Sequence, residues 1–107
     1  MSRQERIERA IAEALGPEHL VVENESHLHS VPPKSETHFK VLVVSGAFAG
    51  LKPVERHRRV NDLLRDEFAA GLHALTVRPL TPEQFQQGGA EGFVSPSCLG
   101  GSKAKPG

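Results

Sequence analysis

Whatever metal or nucleophile chemistry this 107-residue chain performs must come from six histidines and one cysteine. His19, His27, His29, His38, His57 and His73 include no pair at the i, i+4 spacing that puts two imidazoles on one helical face of a zinc protease, and no CxxC accompanies them. A self-contained zinc site is not expected. A single thiol, Cys98, excludes an internal disulfide and an all-cysteine metal site, and suits a reducing compartment. That thiol lies in a Gly, Ser and Lys-rich end, and no serine sits on a strained strand-to-helix elbow, so a nucleophilic triad lacks its parts. The composition argues against an enzyme. His57, at the border of an apolar helical stripe, reads as a packed, hydrogen-bonded structural histidine.

The elements that must position these side chains are organised around residues 48–64, FAGLKPVERHRRVNDLL. Gly46 and Gly50 permit a tight turn, and Pro53 suits a first helical turn, where its missing N–H is no loss. From Lys52 the spacing predicts one helix, with Val60, Leu64 and Phe68 along its apolar stripe and Gly71 ending it. Upstream, Ser2 and Glu5 form a capping-box pattern before Ile7, Ala10, Ile11, Ala14 and Leu15, and Gly16-Pro17 stops that first helix. Residues 19–28 read as a strand, residues 29–36 as a loop with two consecutive prolines, and residues 37–45 (THFKVLVVS) as a central strand covered on both faces. Residues 72–80 form a third strand, parallel to the second across a right-handed helical crossover. Thr81-Pro82-Glu83 opens a short last helix. From Gln87 onward composition predicts a flexible tail, giving a domain over residues 1–87 and a tail over 88–107.

The order α-β-β-α-β-α specifies an α+β domain, with a three-stranded mixed sheet and helices mainly on one face, the arrangement of a type II KH-like domain. Thirteen basic and thirteen acidic side chains leave no net charge to draw the chain to nucleic acid. A local basic surface remains: the glycine turn and the helix bearing Lys52, Arg56, Arg58, Arg59 and Arg65 can contact phosphates. KH recognition uses a GxxG loop, however, and this chain has GAFAG. Glu55, Asp62, Asp66 and Glu67 also interleave with the arginines, the pattern of a solvated face. No apolar run approaches the roughly 20 residues of a membrane span, and the mixed-charge start has no signal-peptide core, so a cytoplasmic protein is expected.

Four stretches, ESHLHSVPPKSETHFKVLVVS, FAGLKPVERHRRVNDLL, LHALTVRPLTPEQF and SPSCLGG, closely resemble the BolA family in order and spacing. The likeness spans Ile7 to Gly101, and Phe48, Gly50, Arg56, His57, Val60 and Leu64 carry the family signature. The SPSCLGG segment is similar to the bacterial founding branch and its mitochondrial relatives; the chain lacks the leader of the latter, and a bacterial cytoplasmic member is expected.

The resemblance implies a non-enzymatic partner of monothiol glutaredoxins that helps hold or pass on a [2Fe-2S] cluster. It also implies the ligands: a histidine at the start of the third strand, matching His73, and a loop residue matching His29, with His27 and His38 as close alternatives. A glutaredoxin cysteine and the thiol of glutathione complete the set, and no cofactor is expected in the isolated protein. Histidine can replace cysteine on one cluster iron, and each imidazole must be neutral to donate, so such a complex should weaken on acidification. Blander roles stand beside these: His73 capping a sheet end, His29 as a solvated loop residue, and Cys98 as an incidental thiol. The founding branch has also been treated as transcriptional regulators of stress and morphology genes, which makes DNA contact through the Arg-bearing helix the alternative function.

Overall fold

The computed structural model describes residues 2–26 and 36–93. Helix α1 (Arg3–Leu15) begins where the sequence places it: the Ser2 hydroxyl accepts from the Glu5 N–H at 3.1 Å, and the Glu5 carboxylate accepts from the Ser2 N–H at 2.8 Å. Gly16 ends it at φ 51, a left-handed angle that glycine adopts without steric cost. Ile7, Ile11 and Leu15 form its buried stripe.

Strand β1 (His19–Asn24) pairs antiparallel with β2 (His38–Val44), and β2 pairs parallel with β3 (Ala74–Leu80), in the order β1-β2-β3. The central strand is covered on both faces, as its apolar run requires. Phe39, Val41 and Val43 pack with Ile7, Ile11, Phe48, Val60 and Leu64 on the side of the long helices. Leu42 and Val44 meet Leu80 and Ala90 on the other side, with Phe85 and Phe93 against them.

The segment between β2 and β3 departs from the single helix predicted from its spacing. Ser45 accepts from the Ala47 N–H and donates to the Leu15 carbonyl at 2.6 Å, starting a 3-10 turn over Gly46–Phe48 that drives Phe48 into the core. Helix α2 (Pro53–Leu63) then gives way at Leu64 to a separate short helix, α3 (Arg65–Ala69). Leu64 stays buried while the chain turns there, and Glu67 is thereby aimed at α1, where it meets Arg6 at 2.7 Å and Arg3 at 3.2 Å. Phe68, expected on the buried stripe, is consequently 36% exposed. Helix α4 (Pro82–Gln86) is capped by Thr81 as predicted.

Two boundaries also shift. Strand β1 stops at Asn24 rather than running to residue 28, because the Asn24 side chain accepts from the Ser26 N–H and turns the chain. At the other end, residues 88–93, placed by composition in the tail, form turns packed on the sheet: Ala90 is buried, and the Phe93 carbonyl accepts from Lys40 Nζ at 2.7 Å. Residues 94–107, including Cys98, lie outside the described residues.

The Arg3, Arg6 and Glu67 cluster joins the first helix to α3, and hydrogen bonding from Arg6, reinforced by Arg3, holds the Glu67 carboxyl below its ordinary pKa of 4.5. A carboxylate with a lowered folded-state pKa stabilises the fold above its unfolded value, and that contribution disappears as pH falls through the folded value. Glu67→Gln is therefore expected to lower stability at neutral pH by about 1 kcal/mol, since the cluster is only partly buried. In urea denaturation the gap to the parent should close as pH falls below 4.5, and a gap that widened on acidification would contradict the assignment.

Candidate functional site

The parallel pairing of β2 with β3 brings two of the six histidines together. His38 opposes Ala74 in the register, and His73 immediately precedes β3, donating its own N–H to the Thr37 carbonyl at 2.9 Å. The Ala74 N–H reaches the same carbonyl at 3.1 Å, so the entry to β3 is hung on the residue just before β2. The two imidazoles stand edge to face with ring centroids 5.8 Å apart. His73 is exposed and His38 half-buried, its Nδ1 sharing a 2.8 Å hydrogen bond with the Thr37 hydroxyl.

The described residues on either side of positions 27–35, Ser26 and Glu36, are both held by hydrogen bonds. Ser26 is 2% exposed, and its hydroxyl accepts from the backbone N–H groups of Thr37 at 3.0 Å and His38 at 3.1 Å, closing the base of the segment. On the far side the Glu36 carboxylate accepts from the N–H groups of Arg3 and Gln4 in the first turn of α1, at 3.0 and 3.1 Å. Free N–H groups at a helix start favour an anion there. Arg3 also donates to the Glu36 carbonyl, which ties the helix to the segment a second time. His27 and His29 belong to that segment and lie outside the described residues.

The other histidines are elsewhere. His19 opposes Val44, at the far end of β2 from His38, and stacks on Phe85 with centroids 4.4 Å apart. His57, expected to be packed, is exposed: Arg56, Val60 and Leu64 take the inward row of four-residue steps, and His57 falls one position off it. Among the described residues no three His, Cys, Asp or Glu side chains cluster tightly enough to hold a metal ion. Whatever donors His73 and His38 offer form an incomplete set.

The basic residues divide in two. Lys52, Arg58 and Arg59 are exposed on or beside α2, and Arg65 is exposed with a loose 3.8 Å pairing to Asp62. Arg56 is 8% exposed and is a structural residue: Nε donates to the Leu51 carbonyl at 3.0 Å, and Nη1 to the Pro79 carbonyl at 3.2 Å and the Gln84 side chain at 2.7 Å. It clamps the turn before α2 to the end of β3 and the start of α4, so, unlike Lys52, Arg58, Arg59 and Arg65, it is not an exposed cation of the α2 surface expected from its sequence position. The spacing of 56, 60 and 64 carried this signal, but a row headed by arginine does not stand out as buried. Among the described residues, no helix is long and apolar enough to cross a membrane.

Comparison with known proteins places this geometry. The chain is 51% identical over 100 residues to the DNA-binding transcriptional regulator BolA of Vibrio cholerae, with 94% of each chain covered. It is 47% identical over 97 residues to human BolA-like protein 1, covering 91% of this chain and 70% of the human one. Among solved structures, BolA1 from mouse superimposes with a TM-score of 0.76 at 41% identity, over 87% of this chain and 76% of that one. BolA1 from Arabidopsis thaliana gives 0.74 at 40% identity, over 78% and 96%. The profile of the family described as BolA-like protein matches residues 11–84. The chain belongs to the BolA-like family.

Proposed function

We propose that this protein is a non-enzymatic partner of a monothiol glutaredoxin, with which it co-ligates a [2Fe-2S] cluster as cargo for iron-sulfur trafficking or iron and redox regulation. The observation that carries the reading is the exposed His73 imidazole beside His38, at the base of the segment that bears His29, with no third ligand in reach among the described residues. Neutral imidazole is a competent donor to one iron of a [2Fe-2S] cluster. Two imidazoles make half a ligand set, and thiolates from a glutaredoxin cysteine and glutathione supply the other half. His73 is the first donor and His29 the second, with His38 their neighbour. The chain's own contribution is to hold His73 at a fixed strand entry, through the Thr37 carbonyl, while the Ser26 hydroxyl ties the backbone of Thr37 and His38 beside it.

Coexpression with a monothiol glutaredoxin is expected to yield a coloured heterodimer on pull-down. His73→Ala and His29→Ala should each alter its visible spectrum, whereas His38→Ala should alter it only if His38 replaces His29. Retention of an unchanged spectrum in both His73→Ala and His29→Ala would remove the proposed ligands.

A second reading has its own support. The similar proteins of Vibrio cholerae and Haemophilus influenzae are each named as a DNA-binding transcriptional regulator, and Lys52, Arg58 and Arg59 are exposed on or beside α2. In this reading the cations contact phosphates, and nearby Glu55 and Asp62 keep the field weak. A gel shift with duplex DNA should then fade as salt rises, and Arg58→Ala or Arg59→Ala should each flatten the logarithmic salt dependence by about one unit. Binding indifferent to salt and to both substitutions would exclude this surface.

A further inference from the structure

A groove of about 440 Å³ runs between the start of α2 and β3, toward the end of β3 remote from His73 and His38. Five consecutive strand residues, Thr76 to Leu80, line it. Successive side chains of a strand point to opposite faces, so only a groove along the strand's edge can touch all five. β3 is the outer strand of the sheet, and its phase is fixed by its hydrogen bonds. Ala74 and Leu80 turn toward β2, where the Ala74 N–H meets the Thr37 carbonyl and the Leu80 carbonyl accepts from Ser45. Pro79 turns the other way and gives its carbonyl to Arg56. Leu75 and Val77 share the phase of Pro79, so their N–H and C=O groups face outward along the edge.

The same groove carries uncompensated positive charge. Arg56 spends its Nε and Nη1 donors on two carbonyls and an amide, all neutral, and neither it nor Arg78 takes part in an ion pair among the described residues. A guanidinium has five N–H donors. The two on Nη2 of Arg56 meet no described group. No buried side-chain nitrogen or oxygen lacks a partner among the described residues, so Nη2 reaches the surface of the groove that Arg56 lines. Arg78 is held over the Phe93 ring, 5.1 Å from its centroid, and His57 lines the same groove.

We propose that this groove binds an extended peptide segment of a partner protein that bears a carboxylate side chain. The peptide adds as a short outer strand on Leu75 and Val77, and the carboxylate settles on Nη2 of Arg56 beside Arg78. Strand addition supplies the main-chain pairing and the guanidinium selects the side chain. The spacing suits this, because Pro79, where Arg56 is anchored, lies two residues or about 7 Å along the strand from Val77. A phosphodiester chain has no regular N–H donors to offer the Leu75 and Val77 carbonyls, which favours peptide over nucleic acid. This site is separate from the histidine pair and does not depend on the cluster reading.

The test uses the full-length, nitrogen-15-labelled protein and a blocked hexapeptide alternating valine and aspartate. Titration is expected to shift the Leu75 and Val77 amide resonances. Replacing aspartate by asparagine in the peptide, or Arg78→Gln in the protein, should weaken binding about tenfold through loss of a charge-assisted contact. Arg56→Lys keeps the charge but loses the outward Nη2 donors, and should weaken binding likewise; should it unfold, Arg78→Gln still decides. A peptide N-methylated at alternate amides should not bind. Three results would each overturn the proposal: no shift at millimolar peptide, equal binding of the methylated peptide, or the same shifts produced by inorganic phosphate or an oligothymidylate alone.

Discussion

Burial of β2 on both faces is the constraint from which the other features follow. Residues 41–44 are fully buried, and hiding a side chain of this kind contributes about 1.5–3 kcal/mol. A strand hidden on both sides must have neighbours on both edges and layers above and below. β1 and β3 fill the edges, α1 and α2 cover one face, and α4 with the turns to Phe93 covers the other. Because β3 runs parallel to β2, its first residues arrive next to those that open β2, and this is what sets His73 against Thr37 and His38.

Much of this was legible in the sequence, and the misreadings share a cause. Hydrophobic periodicity and capping chemistry located α1, β2 and α4 closely, since Ser2 with Glu5 and Thr81 with Pro82 are local signals that tertiary structure did not override. The histidine pair was half legible: His73 and His38 were both singled out, but their proximity depends on parallel register, which no local pattern encodes. The break at Leu64 was invisible because Leu64 itself keeps the buried row, and what the turn achieves, the meeting of Glu67 with Arg3 and Arg6, lies more than sixty residues away along the chain. Arg56 was read as a surface cation because arginine ordinarily is one. Its burial depends on carbonyls at Leu51 and Pro79 that come together only after folding. Residues 88–93 looked like tail because glycine dominates them, yet Ala90 and Phe93 complete the second face of the sheet.

The two ends of the sheet are specialised differently. At one end, Ser26, Thr37 and Glu36 spend their polar groups on fixing backbone, which leaves imidazoles as the exposed chemistry. Further along the strands, aromatic rings organise the cations: Phe93 lies between Lys40, 5.3 Å from its centroid, and Arg78, while Arg56 lies 6.0 Å from the Phe48 ring.

The end of β3 has a bearing on solubility. An open outer strand can template fibril growth, one copy stacking on the next in an unbroken ladder. Here the ladder is cut short, because Pro79 has no N–H to give and Arg56 already holds its carbonyl. A long amyloid-style register cannot be propagated from an edge that closes after a few residues.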